Sequence, residues 1–326
     1  MYVTDPPIPP AALSRAVLRW RQHAPAAGLG AHIRRRQGHS LEFREYHAYQ
    51  RGDDIRAVDW RASARLPRRA DLLVRSFEAE QKLTLAVVLD NRPDMRLPAA
   101  MPKLLYALWT LRALCALALD QGDEVVLARL FAGQTPAIAT LRGAPGHAQA
   151  RAWAEGIWNE AEDAATPAPQ PDFADLMRVV QRLRPAGAVI VISDMLFYDP
   201  QHRFLSFARM AQARRRSLSI LQLDTLRHET ELLRREAEFR LIRPGQPPGD
   251  SSQLFDEAAF SAAADAVSAH LQGLRQAAQA GGLDWPEESM DWPSDLSASD
   301  DVLKSHFSQS FPRLPMLAGL SLGSAA

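Results

Sequence analysis

Two short apolar runs, each ending in an aspartate, constrain this chain more than any other feature. Residues 82–90 read KLTLAVVLD, closing on Asp90, and residues 188–193 read AVIVIS, leading into Asp194. Runs without polar alternation mark strands covered on both faces. Helical periodicity is expected over residues 102–121, 147–162, 173–183, 203–216 and 256–278. Further strands are expected at 124–131, 137–141, 218–223 and 238–242. Strands separated by helices imply an α/β fold, its mostly parallel sheet carrying helices on both faces.

A different texture precedes the first run. Glu42, Phe43, Arg44, Glu45, Tyr46 and Tyr49 lead into Gly52, Asp53, Asp54, Ile55, Arg56, Ala57, Val58, Asp59 and Trp60. Asp53, Asp54 and Asp59 alternate with Arg51, Arg56, Arg61 and Arg65, a spacing suited to a mutually satisfied network around Trp60. Charges leaving water must be paired and hydrogen-bonded, so this stretch is expected to fold onto itself. The plainer alternative is a solvated loop whose ion pairs contribute about 0–1 kcal/mol each.

Residues 38–80 resemble the signature of the domain of unknown function 58 family. Its elements read here as Gly38, Glu42-Phe43, Tyr49, Gly52 to Trp60, Ala64-Arg65 and Phe77-Glu78-Ala79-Glu80. The similarity continues through a von Willebrand factor A-like region to about residue 243. The resemblance implies a von Willebrand factor A-like domain capped by this charged motif. It also implies a protein partner, a MoxR-type AAA+ ATPase, with the chain acting as an adaptor in complex assembly or maturation.

On this reading the chain divides into residues 1–81 (a short helix and the signature), 82–280 (the α/β domain) and 281–326 (an acidic tail). Four prolines in the first ten residues argue for disorder there, and Leu13, Val17, Leu18 and Trp20 for a helix over 11–23. Residues 281–326 carry 7 Asp and Glu against 2 Lys and Arg, with no periodicity, so most of that tail is expected to be disordered. Phe307, Phe311 and Leu314 stand out in it as a short docking segment. Formal net charge is +0, so nothing global argues for nucleic acid, and Arg34, Arg35 and Arg36 read as a solvated face. The single cysteine, Cys115, excludes an intramolecular disulfide and reads as a small buried hydrophobe. No signal peptide is expected, because residues 4–10 are proline-rich and polar where an apolar core would be needed. The longest apolar stretch, 104–119, is broken by Arg112 and falls short of the ~20 residues that span a bilayer, so a cytoplasmic protein is expected.

Ligands of parallel sheets bind at the carboxyl ends of the strands, where Asp90 and Asp194 stand. Carboxylates meeting there can hold Mg²⁺. The resemblance implies an ion site of the pattern Asp-x-Ser-x-Ser, with a later Thr and a second Asp. Here Asp90 and Asp194 match, but Arg92 and Asp94 replace the serines and Ala174 the threonine. Asp90, Asp94 and Asp194 are the metal ligands such a site would retain. The expectation is a degenerate site and no cofactor, with Mg²⁺ the ion it would take. Two placements of Arg92 remain open: its guanidinium in place of the ion, or pointing into solvent.

Catalytic patterns are sparse. Asp71 with Glu80-Gln81-Lys82 resembles a metal-dependent nuclease motif, but it is short and common. No zinc-protease histidine spacing, nucleophile elbow, phosphate-binding loop or dinucleotide fingerprint occurs. The reading is a non-enzymatic interaction module. Its rival is a metal-dependent nuclease or phosphoesterase working through Asp90, Asp94 and Asp194.

Overall fold

The computed structural model describes residues 3–9, 13, 17–18, 41–50, 55–65, 72–79, 83–98, 102–131, 135–160, 179, 181, 187–197, 199, 203–213, 217–234, 240–241, 253–254, 257–281, 290–293, 300–314 and 316–318. In chain order the strands are β1 (Val17–Leu18), β2 (Leu41–Ala48), β3 (Leu73–Ala79), β4 (Thr84–Leu89), β5 (Glu124–Arg129) and β6 (Ile138–Leu141). They continue with β7 (Ala188–Ser193), β8 (Ser217–Asp224), β9 (Arg240–Leu241), β10 (Gln253–Leu254), β11 (Met290–Asp291) and β12 (Leu317–Ala318). The helices are α1 (Trp60–Ser63), α2 (Lys103–Asp120), α3 (Gly143–Asn159), α4 (Arg203–Ala213), α5 (Leu226–Arg234), α6 (Glu257–Ala280) and α7 (Asp300–Ser310). Two compact units result: Met1–Pro25 with Leu83–Ala326, and Ala26–Lys82.

The larger unit is built on a six-stranded sheet in the order β11-β8-β7-β4-β5-β6. All its pairings are parallel except β5 with β6, which is antiparallel at one edge. Successive residues of a strand point to opposite faces, and both faces of β4 are covered. Leu85, Val87 and Leu89 join a core with residues of α2, α3 and α7. Ala86 and Val88 join a second core with Phe204, Phe207, Leu271 and Ala278 of α4 and α6. The expected mixed α/β architecture, with a mostly parallel sheet between helices, is what the chain adopts.

Helix α2 is buried on nearly all sides, because the chain ends cover the flank that the sheet does not. Trp109 Nε1 donates to the Val3 carbonyl at 2.9 Å, and Ile8 and Leu13 enter the same core. Phe307 on α7 packs edge-on to Tyr106 and Trp109, with ring centroids 4.9 and 5.5 Å away. These contacts correct two expectations. Residues 3–9 are held in place, with Thr4 fully buried against Glu155 of α3. Within the expected 11–23 helix, Val17–Leu18 pair instead as a strand with Leu317–Ala318. The acidic tail is likewise ordered where it is described: Met290–Asp291 extends the sheet, and α7 buries Leu303 and Phe307, followed by Phe311. The physical reason is spacing: Leu303 and Phe307 lie one turn apart on α7, and Phe311 and Leu314 continue the buried row beyond its end, a stripe outnumbered by the surrounding acidic and small residues.

Smaller departures concern boundaries. Helix α3 begins at Gly143, ahead of the expected 147, and of the strand expected at 238–242 only Arg240–Leu241 are described, as β9 paired with β10. Helix α5 was not expected at all. Of the helix expected at 173–183, only Val179 and Gln181 are described, both helical.

In the smaller unit β2 and β3 pair antiparallel, with an irregularity between Phe43 and Glu45. Glu42 stands opposite Glu78 and Phe43 opposite Phe77 in that register. Val58 bridges to Val74. Asp59 then caps α1, accepting from the Arg61 and Ala62 amides at 3.0 Å each and from the Tyr46 hydroxyl at 2.9 Å. Ser63 fastens the turn to β3: its Oγ donates to the Asp59 carbonyl and accepts from the Leu73 amide. Asp59 is buried, as expected of a satisfied carboxylate, whereas Trp60 is 59% exposed. Tyr49, Arg56 and Arg65 are exposed as well. Gly38, Gly52, Asp53, Asp54 and Glu80 lie outside the described residues.

Candidate functional site

The carboxyl ends of β4 and β7 bring together four of the residues singled out in the sequence. Asp90 follows β4 and donates its amide to the Ile192 carbonyl of β7 at 3.0 Å, which sets it beside Asp194. Arg92 lies two residues on, just before a short 3-10 turn over Pro93–Arg96. Its Nε stands 3.1 Å from both Asp90 carboxylate oxygens, and its Nη2 donates to Asp90 Oδ2 at 2.8 Å. The same Nη2 donates to Asp194 Oδ1. Nη1 lies 3.8 Å from Asp94 Oδ2, whose side chain is 47% exposed at the mouth of the cluster. The guanidinium carbon lies 5.5 and 5.7 Å from the Phe131 and Phe197 ring centroids, within cation–π range.

A second cation enters from α2. Lys103, the helix's first residue, donates to Asp194 Oδ2 at 2.9 Å and to Glu229 Oε1 of α5 at 2.7 Å. Thr225 Oγ1 also donates to Glu229 Oε1, at 2.7 Å. Ser193 Oγ donates to Asp90 Oδ2 at 2.7 Å and accepts the Met195 amide at 2.8 Å. Leu196 donates its amide to Asp194 Oδ1 at 3.0 Å, completing a turn in which Met195 takes a left-handed φ of 61°. Asp90, Arg92, Lys103, Ser193 and Asp194 are all buried.

Electrostatics follow from that burial. Burial alone would raise the Asp194 carboxyl, but Lys103 and Arg92 beside it hold it below the usual carboxylate range. For Lys103, burial works to lower the ammonium, and Asp194 and Glu229 outweigh it, leaving the group raised. Arg92 is raised in the same way by Asp90 and Asp194 against its own desolvation. Asp94 is raised, chiefly by burial, which Arg92 offsets only in part. Buried charges persist when paired and hydrogen-bonded, as Asp90, Arg92, Lys103 and Asp194 are here.

Such an arrangement holds charge in place. Ser193 Oγ, the hydroxyl of the cluster nearest Asp90, is fully buried and already engaged as both donor and acceptor. Nor do the residues fit Mg²⁺, which demands oxygen ligands at about 2.0–2.1 Å in near-octahedral array. Both oxygens of Asp90 and of Asp194 already accept from Arg92, Lys103, Ser193 or Leu196. Among the described residues, no three His, Cys, Asp or Glu side chains are placed to hold a metal ion. In this arrangement the Arg92 guanidinium lies among the three expected ligands, Asp90, Asp94 and Asp194. Ala174, Asp71, Glu80, Gln81 and Lys82 lie outside the described residues.

A family model described as "Protein of unknown function DUF58" matches residues 45–232. The chain belongs to the DUF58 family. The match spans β4 through β8 and reaches into α5, so Asp90, Arg92, Lys103, Asp194 and Glu229 all lie within its DUF58 region. No curated protein matches the chain. Among solved structures, the chain is similar to an aerotolerance-related membrane protein from Bacteroides fragilis carrying multiple mutations to serines. That match has 11% identity and a TM-score of 0.37, covering 71% of this chain and 100% of that one. It is also similar to the conserved hypothetical protein BatB from Bacteroides thetaiotaomicron, at 13% identity and a TM-score of 0.38, covering 71% and 98%. Among the described residues no helix is long and apolar enough to cross a membrane.

Lys103, Ser193 and Glu229 escaped the sequence reading. Lys103 left a signal: a lysine opening a helix that is apolar on almost every side needs a buried partner. Glu229 left none, because it sits in a polar segment whose helix was not anticipated.

Proposed function

We propose that this DUF58 protein is a non-catalytic adaptor with a von Willebrand factor A-like domain, preceded in the chain by the charged signature. Its partner is a MoxR-type AAA+ ATPase, and the pair acts in assembly or maturation of a protein complex. An ATP-consuming partner puts that work in the cytoplasm. One observation carries the reading: the ionisable groups at the carboxyl edge of the sheet are engaged with one another through Arg92 and Lys103. Catalysis needs a group poised to give or take a proton or to bind a metal, and the carboxylate oxygens of Asp90 and Asp194 are already engaged. A nuclease or phosphoesterase using Asp90, Asp94 and Asp194 would need carboxylate oxygens that Arg92 already occupies. What supports the partner is the family resemblance of the signature.

Size-exclusion chromatography of the purified chain with the MoxR-type ATPase of the same organism, with and without a non-hydrolysable ATP analogue, tests the proposal. Co-elution, together with a changed ATPase rate, is the expected result. Separate elution in both nucleotide states with an unaltered rate would refute it.

A further inference from the structure

We infer that Arg92 and Lys103 together are a built-in dication standing where a divalent metal ion would otherwise be held, and that removing Arg92 unmasks a metal site. Two monovalent side chains supply the charge of one Mg²⁺ or Mn²⁺. They supply it to the same acceptors, since Arg92 bridges Asp90 and Asp194 while Lys103 takes the remaining oxygen of Asp194. Three carboxylates converging at two strand ends repel one another unless a cation lies among them. Here that cation is covalently part of the chain.

The geometry favours arginine for the first position. A guanidinium offers five donors in a fixed fork and stays protonated throughout the accessible pH range. Arg92 uses Nε and Nη2 of that fork on Asp90, and Nη2 also reaches Asp194. Phe131 and Phe197 lie within cation–π range of the guanidinium carbon, where a hydrated ion would lose its water shell against apolar rings. Lys103 is fixed by its place at the start of α2 and by Glu229 on α5. The edge of the sheet is thus assembled at all times, and its shape is independent of divalent-cation supply. This inference concerns the site alone and stands whether or not the ATPase is the partner.

Mn²⁺ is the probe, because it takes oxygen ligands and its free-ion signal reports binding by electron paramagnetic resonance. Wild-type protein, pretreated with EDTA and dialysed, is expected to bind no Mn²⁺ and to keep its Tm whether EDTA or Mn²⁺ is added. Arg92→Ser restores a hydroxyl and vacates the fork. It is expected to melt lower than wild type without metal, and to regain part of that loss with Mn²⁺, which it binds and wild type does not. Arg92→Lys keeps the charge without the fork and is expected to show an intermediate Tm that ignores Mn²⁺. Should Arg92→Ser not fold alone, its refolding yield with and without Mn²⁺ reads the same point, a higher yield with the ion being expected. Micromolar Mn²⁺ binding by wild type would overturn the inference. So would an Arg92→Ser variant whose Tm, or refolding yield, is unmoved by the ion.

Discussion

The Lys103 ammonium stands 2.9 Å from the Asp194 carboxylate, from a position 91 residues earlier in the chain, and both side chains are 2% exposed. This pair ties the first turn of the buried helix α2 to the end of the central strand β7. Removing one partner of a buried ion pair leaves the other uncompensated, at a cost of about 3–5 kcal/mol. Lys103→Met should therefore lower the urea midpoint markedly. Adding Asp194→Asn to that variant should cost less than the sum of the single substitutions, because the pair is lost only once. Strict additivity in that cycle would show that the two groups do not interact.

Acid stability should depend on the same contact. The folded Asp194 carboxyl is held below its usual range, so its contribution is present above the unfolded value, about 3.9, and lost as pH falls through the lower folded value. Lys103→Met removes the largest charge opposing the effect of burial on Asp194. The variant should lose stability at a higher pH than wild type, which urea midpoints measured from neutral pH downward would reveal. Parallel pH profiles for the two proteins would contradict the assignment.

Removal of residues 286–326 should abolish cooperative unfolding of the larger unit. Phe307 is fully buried, with the Tyr106, Trp109 and Phe311 rings 4.9 to 5.5 Å away. Phe307→Ala alone should cost about 3–5 kcal/mol, as large-to-small changes at buried aromatic positions do. A truncated protein that melts like wild type would restore the disordered tail that composition suggests.

Cys115 gives a convenient reporter. It lies on α2, 1% exposed, and burial pushes its thiol up to about 12. A protonated, inaccessible thiol is a poor nucleophile. At pH 8 it should react with a thiol-specific disulfide reagent only as fast as the unit opens, and rapidly once urea unfolds the chain. Prompt labelling of native protein would mean that α2 is less enclosed than the packing of α7 and the N-terminal segment implies.

How much of this was legible from sequence depends on whether a segment carries its own reason to fold. Strands β4 and β7 are uninterrupted apolar runs, and α2 is an apolar helix of ordinary length, so their type and order could be read directly. The N-terminal segment, β1, β11 and β12 are too short to show periodicity. Each is ordered by what it lies against, as when Trp109 fixes the Val3 carbonyl or Leu317 pairs with Leu18. Asp90, Arg92, Asp94 and Asp194 were legible as a group because strand ends are where a parallel sheet gathers its polar residues. Lys103 and Glu229 arrive from helices, one buried where apolar residues were expected and the other in an unrecognised element. Their partnership with Asp194 is set by tertiary packing that no local pattern encodes.

Asp59 in the smaller unit caps α1, accepting from the amides of Arg61 and Ala62 and from the Tyr46 hydroxyl. An N-cap aspartate replaced by alanine costs about 0.5–2 kcal/mol, and the lost Tyr46 bond places Asp59→Ala toward the upper end. Asn also caps well, so Asp59→Asn should recover most of the loss. The change should be confined to α1 and its tether, because Ser63 binds both the Asp59 carbonyl and the Leu73 amide. Hydrogen exchange is the suitable measurement. In Asp59→Ala, the amides of Ala62, Ser63 and Leu73 should exchange faster, while those of β4 and β7 keep wild-type protection. Equal exchange at Ala62 and Leu73 in variant and wild type would show that the cap does not hold the turn, whatever happens to binding.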